Sequence, residues 1–378
     1  MKIALFIPTL GGGGAERVIL TLAEAFIQHG LKVDVVVSTT RGAYGALRAD
    51  MPAGARLVDL DTSRLIRSAR PLAAYLHRER PDSVLSADPE ANCIAVRARA
   101  LSRARPRLVL SQHTAMSVAA ANDPAVRKRW LPFFCRWTYP RADAVVAVSA
   151  GVADDLAATI RFQRQRVQVI YNPVITSAML AKSHEPLEHP WFKPGEPPVV
   201  LGVGRLTRQK DFPTLIRAFA ILRRQRAARL VILGEGEERR ALAELIEELR
   251  IAQDAALPGF VRNPFSYMRA ASVFALSSRW EGFGNVVAEA LACGARVVST
   301  DCPSGPAEIL ERGKWGSLVP VGRPEVLAAA MGDALERPAL DPSLDCALRR
   351  FGVEKPADEY LKILLPSKQT TVINGGRG

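Results

Sequence analysis

The chain has 378 residues, more than one hydrophobic core ordinarily serves, so two domains are expected. Hydrophobic residues make up 48% and charged residues 24%, which excludes a disordered chain, and no apolar run reaches the ~18–20 residues of a membrane helix. Five scattered cysteines without a CxxC pair argue against a disulfide framework or a zinc site and fit a reducing cytoplasm.

The net charge of +13 is uneven: residues 1–195 hold 26 Lys and Arg against 16 Asp and Glu, and residues 196–378 hold 25 against 22. Arginines cluster at 64/67/70, at 97/99/103/105/107 and around Lys128. Such clusters read either as a solvated surface or as attraction to an anionic partner, a lipid headgroup or a diphosphate. Nucleic acid is disfavoured, because aromatic content is 6% and no aromatics interleave the basic stretches.

In chain order, an apolar strand, a turn and an amphipathic helix repeat. The opening residues Ile3–Pro8 predict a strand rather than a signal peptide, since Pro8 and four glycines end the apolar run. Ala15–His29 has helical spacing of Val18, Leu22, Ala25 and Phe26, closed by Gly30. Strands are predicted at Lys32–Ser38, Leu57–Leu60, Ser83–Ser86, Leu108–Ser111, Ala144–Ser149 and Val167–Tyr171. The stretch 183–198 carries five prolines and no periodicity and reads as a linker. The alternation then restarts, with strands at Val199–Val203, Arg229–Leu233, Val273–Ser277 and Arg296–Ser299. Helices are predicted at Pro213–Arg224, Glu237–Leu249 and Gly284–Ala292. The expected fold is α/β, two Rossmann-like doubly wound domains facing across a cleft. The domains are 1–182 and 199–350, followed by a helix at 351–365 that packs back toward the first domain. The polar, Gly-rich stretch 366–378 reads as a disordered tail.

Ligands of such sheets bind beyond the carboxyl ends of the strands, so residues just after strands carry the chemistry. Gly11–Gly14 lets backbone approach a ligand closely at a helix N-terminus. It is not a dinucleotide fingerprint, because Glu16 stands where glycine or alanine is required and Asp34 lies inside the second strand. His113 follows a first-half strand and could bond a substrate hydroxyl or phosphate. Arg205 and Lys210, in Gly202-Val-Gly-Arg-Leu-Thr-Arg-Gln-Lys-Asp, combine a guanidinium fork with a point charge, suited to two adjacent phosphates. In Glu281-Gly-Phe-Gly-Asn-Val-Val-Ala-Glu289 the glycines open a helix whose amides can hold phosphate. Glu289 sits in an apolar run where a carboxylate needs a partner. The single Asp59-Leu-Asp61 is read as chance spacing.

The order Gly-rich loop, His113, GRLxxQKD, GEGE at 234–237 and ExGFGNVxxEAxxxG resembles the family-4 glycosyltransferases of the two-Rossmann (GT-B) fold. The resemblance runs from Lys2 to about Leu365. It implies a donor site in which Arg205 and Lys210 hold the diphosphate of a nucleotide-sugar, with UDP as the nucleotide the family resemblance leads one to expect. It implies further that Glu289 takes the ribose hydroxyls, Glu281 lies against the transferred sugar and His113 sits near it. Gly13, Gly14, Gly234, Glu235 and the amides of Phe283, Gly284 and Asn285 complete the donor contacts. No cofactor and no metal are expected. Segment 299–310 resembles members that build lipid-linked oligosaccharides or surface polysaccharides. The implied reaction moves a hexose or N-acetylhexosamine to a glycan acceptor, polyprenyl-diphosphate-linked, with retention. The first domain would bind that acceptor, and Arg64, Arg67 and Arg70 would meet acceptor phosphate or an anionic membrane at the inner face. Two other readings stay open, a UDP-sugar epimerase on the same fold and a non-catalytic nucleotide-sugar-binding protein.

Overall fold

A computed structural model describes residues 1–41, 48–122, 130–336 and 343–365. The basic stretch 127–129 and the tail 366–378 lie outside them.

The first seven strands form one parallel sheet: β1 (Lys2–Ile7), β2 (Lys32–Val37), β3 (Arg56–Asp59), β4 (Ser83–Ala87), β5 (Arg107–Gln112), β6 (Ala144–Ala147) and β7 (Val167–Val169). Their spatial order is β3-β2-β1-β4-β5-β6-β7. The next six form a second parallel sheet: β8 (Val199–Val203), β9 (Arg229–Leu233), β10 (Ala255–Gly259), β11 (Val273–Leu276), β12 (Arg296–Thr300) and β13 (Gly316–Val319), in the order β10-β9-β8-β11-β12-β13. In both sheets the order reverses beside the first strand, which opens a crevice at the carboxyl ends of β1 and β4 and of β8 and β11. The central strands are apolar throughout because helices cover both faces: Ile3–Ile7 and Val200–Leu201 are buried.

β10 and β13 were not anticipated from the pattern. Each is short and edge-placed, and Ala-Ala-Leu-Pro-Gly and Gly-Ser-Leu-Val carry too few β-branched residues to announce themselves. The Pro-rich stretch is not a loose tether. Ser177–Ser183 is a helix that packs on the Pro264–Ala270 helix of the second domain. Phe192 meets Tyr267 edge to face at 5.4 Å, and the Arg229 guanidinium lies over Trp191. Aromatic contacts thus fix the linker to the second domain.

Beyond the second sheet the chain returns. Val174 and Ile175 both donate backbone N–H bonds to the Phe351 carbonyl, and the Glu354–Leu364 helix packs on the first domain. There Tyr360 Oη lies 3.0 Å from Ser111 Oγ, and Arg107 Nε donates to the Ile363 carbonyl at 2.5 Å. A polar lock on each side of the crossover holds the two domains in register. Asp34, the acid inside β2, is buried and bonds Arg56 at 2.6 Å and Tyr75 Oη at 2.5 Å; these partners hold its carboxyl below the ordinary range although burial opposes them. It is a structural ion pair of the sheet, far in role from a ribose ligand.

Candidate active site

The crevice of the second sheet gathers the charged residues. The loop after β8 brings Lys210 against the loop after β11, where Lys210 Nζ lies 2.6 Å from Glu281 Oε1. Ser278 Oγ donates to the same oxygen at 2.6 Å. The two loops are tied elsewhere: Ser277 Oγ donates to the Lys210 carbonyl, Gln209 Nε2 to the Trp280 carbonyl, and the Arg279 amide to the Gln209 carbonyl. Thr300, at the end of β12, donates to the Ser278 carbonyl at 2.6 Å. Lys210 and Glu281 are therefore positioned by backbone on both sides. Arg205 is exposed and makes no side-chain bond among the described residues.

The Asn285–Ala292 helix starts at this crevice. Gly284 occupies the left-handed region at φ 87°, a turn that costs an L side chain energy, and the amides of Phe283, Gly284 and Asn285 donate to no acceptor among the described residues. The Phe283 ring itself is buried against Tyr171 and Phe351, so only its backbone faces the crevice. Glu289 lies one further turn and more along, 9% exposed, and its carboxylate has no hydrogen-bond donor among the described residues. Burial pushes its pKa up to about 7, with the charges of Arg17 and Lys210 pulling the other way.

The first domain closes over this helix. A Cβ on Gly14 would sit 3.2 Å from Asn285 Nδ2, and Asn172 Nδ2 donates to Asn285 Oδ1 at 2.8 Å. A Cβ on Gly282 would sit 1.8 Å from the His113 carbonyl, and Ser149 Oγ donates to the Gly282 carbonyl at 2.7 Å. Glu308 accepts the amides of Ala150 and Gly151 at 2.8 and 2.9 Å, capping a first-domain helix with a second-domain carboxylate. His113 is bonded through Nε2 to Ser111 Oγ at 3.0 Å, and burial lowers its pKa to about 4, so it is neutral at physiological pH.

The structure thus brings together Gly13, Gly14, His113, Lys210, Glu281 and Glu289 with the amides at 283–285, around one crevice. Gly234 and Glu235 stand differently. A Cβ on Gly234 would lie 1.9 Å from the Gly204 carbonyl, so that glycine serves loop-to-loop packing, and Glu235 is exposed and paired with Arg239 at 3.0 Å. Arg64, Arg67 and Arg70 are exposed around the 3-10 turn Leu65–Ser68, which follows the carboxyl end of the edge strand β3. Sequence reasoning missed Arg17, Ser278, Asn172 and the bridging role of Glu308. Only Arg17 had a signal, its place in the first turn after the glycines. Asp59 is spent on Thr40 and on its own turn at Asp61, and Asp61 pairs with Arg41. Among the described residues no group of three or more His, Cys, Asp or Glu is placed to hold a metal.

Comparison with known proteins gives this geometry its family. Residues 12–178 match the model for Glycosyltransferase Family 4, and residues 184–348 match the model for Glycosyl transferases group 1. The chain is a glycosyltransferase, with a family 4 domain in its first half and a group 1 domain in its second. This glycosyltransferase is 29% identical, over 96% of its length and 99% of the relative, to the N-acetylgalactosamine-N,N'-diacetylbacillosaminyl-diphospho-undecaprenol 4-alpha-N-acetylgalactosaminyltransferase of Campylobacter jejuni. It is 26% identical, over 93% of its length and 96% of the relative, to the lipopolysaccharide core biosynthesis glycosyltransferase LpsE of Rhizobium meliloti. Its fold matches that of Anabaena HepE, solved with UDP and glucose, at a TM-score of 0.76 and 20% identity over 96% of this chain and 99% of that one. The glycosyltransferase therefore has the GT-B architecture.

Proposed function

We propose that the enzyme moves a hexose or N-acetylhexosamine from a UDP-sugar to a lipid-linked glycan acceptor with retention of anomeric configuration. The observation that carries the donor reading is Glu289: a buried carboxylate without a protein donor, facing the crevice, suits the paired hydroxyls of a ribose. From there an extended nucleotide-sugar reaches the free amides at 283–285 and then Lys210 and Arg205. These cationic groups and amides stabilise the charge that develops on the departing diphosphate more than they stabilise the bound donor.

The state of Glu281 argues against a covalent glycosyl-enzyme route to retention. One oxygen already accepts an ammonium and a hydroxyl, both at 2.6 Å, which makes that carboxylate a poor nucleophile. We favour attack on the face from which the diphosphate leaves, a phosphate oxygen taking the proton of the acceptor hydroxyl as the C1–O bond to acceptor forms and the C1–O bond to diphosphate breaks. A trapped glycosyl adduct on Glu281 would overturn this route. Acceptor binding by the first domain follows from its facing the same crevice, and the relative from Campylobacter is named for a diphospho-undecaprenol acceptor.

The test incubates enzyme, UDP-sugar and a polyprenyl-diphosphate-linked oligosaccharide, and follows UDP release and the product's anomeric proton by NMR. Acceptor-dependent UDP release with an α-product from an α-donor is expected. An altered sugar from donor alone would point to the epimerase, and no UDP release with any acceptor to a binding protein.

A further inference from the structure

We propose that the Leu131–Thr138 helix is an interfacial docking element that seats this enzyme on an anionic lipid bilayer. Trp130, Phe133, Phe134 and Trp137 are 61%, 55%, 56% and 58% exposed, four of the ten large hydrophobics exposed among the described residues, within eight positions. Their spacing of i, i+3, i+4 and i+7 puts them on one helical face. The opposite face holds the helix down: Cys135 is fully buried, Leu131 is packed on the core, and the helix lies against the Pro89–Leu101 helix. The side chains with most to gain from burial therefore point to solvent while the smaller ones face the protein, the inverse of an ordinary surface helix. A cluster of this kind on a soluble chain marks a surface that another phase or partner covers.

Charge identifies the occupant as lipid. From Trp130 to Ala142 the chain carries no acidic residue, and Arg136 and Arg141 are exposed beside the aromatics. Arg97 on the neighbouring helix and Arg103 just beyond it are exposed as well. Tryptophan favours the headgroup level of a bilayer, where its ring is buried and its N–H stays wet, and basic residues at the same level draw anionic headgroups. The excess positive charge of residues 1–195 acts in the same sense at longer range. The position also suits the reaction. The chain leaves β5 at the crevice end at Gln112 and re-enters the sheet at the far end at Ala144, so this helix lies on the flank of the domain between the two ends. Arg64, Arg67 and Arg70 flank the other side of the Pro89–Leu101 helix, in the same layer, with Ile66 exposed between them. The inference deepens the reading of a lipid-linked acceptor, but its test needs no acceptor.

The full-length protein is centrifuged with vesicles of phosphatidylcholine alone or with roughly one-third phosphatidylglycerol, and tryptophan emission is recorded with and without brominated lipid. Wild type should sediment with the anionic vesicles, shift its emission to the blue and be quenched by brominated lipid. The quadruple variant Trp130→Ser, Phe133→Ser, Phe134→Ser, Trp137→Ser should lose vesicle affinity by about tenfold or more, since all four rings leave the interface. Its thermal shift with UDP should match wild type, which shows that the fold and donor site survive. Equal vesicle binding by the two proteins, or none by wild type, overturns the proposal, as does a wild-type dimer that the variant breaks without any vesicle binding. Loss of vesicle binding with donor binding intact supports it whatever the fate of the acceptor reading.

Discussion

Lys210 Nζ and Glu281 Oε1 are 2.6 Å apart, joining the loop after β8 to the loop after β11 across the switch point of the second sheet. The pair is little exposed, so neither charge is free to wander, and under the proposed donor reading the ammonium would meet the diphosphate. Lys210→Ala should lower kcat by roughly two or more orders of magnitude, the loss expected when a preorganised charge is removed from a developing anion. Turnover within a few-fold of wild type in steady-state kinetics would show the diphosphate lies elsewhere.

Glu289 titrates in the opposite sense from an ordinary paired carboxylate. Its pKa rises from 4.5 to about 7 on folding, so the fold favours the protonated form and stability falls as pH rises from about 4.5 through about 7. The difference in Tm between wild type and Glu289→Gln, measured from pH 4.5 to 8, should show that slope. A ribose hydroxyl donates to the ionised form, so UDP affinity should strengthen across the same window and binding near pH 7 should release a proton, read by calorimetry in two buffers. Glu289→Gln should weaken UDP by about tenfold and remove the pH dependence, since a bond to a charged group contributes about 1.5–3 kcal/mol.

His113 slopes the other way. Its pKa falls from 6.5 to about 4, so the neutral ring belongs to the folded state and stability from this group is present above about 6.5 and lost as pH falls toward 4. His113→Gln should flatten the acid limb of thermal stability relative to wild type. An unchanged acid limb would mean that the ring is solvated and protonates freely.

Gly282 is fixed by the other domain rather than by its own backbone. The added methyl of Gly282→Ala would meet the His113 carbonyl at 1.8 Å, and neither backbone is the far end of a flexible side chain. The expected result is a wider separation of the domains, seen as a larger radius of gyration in solution scattering, with kcat reduced by about tenfold or more through misplaced groups. Unaltered scattering and turnover would show that the two domains do not approach as described.

If Arg205, Lys210 and the helix amides stabilise the departing diphosphate as proposed, turnover requires no divalent ion. Excess EDTA should leave turnover within about twofold, and a loss restored by Mg²⁺ or Mn²⁺ would assign that role to a metal.

The sequence by itself determined the two-sheet plan, because strands buried on both faces must be apolar throughout and the helices between them must be amphipathic. It also marked which loops would stand at the crevice, since Arg205, Lys210 and Glu281 follow strand ends and Glu289 lies in the helix that starts there. It could not reveal β10 and β13, whose edge positions demand little of their side chains. Nor could it pair Lys210 with Glu281, 71 residues apart, or set Arg17 opposite Glu289 from the other domain. The GEGE motif suggested a ligand loop, yet Gly234 is glycine because the Gly204 carbonyl fills the space a Cβ would need. The aromatic face at 130–137 has the spacing of a core helix in the sequence. Only the tertiary structure turned it outward, because the Pro89–Leu101 helix takes up the side bearing Leu131 and Cys135 and leaves the four rings to the solvent.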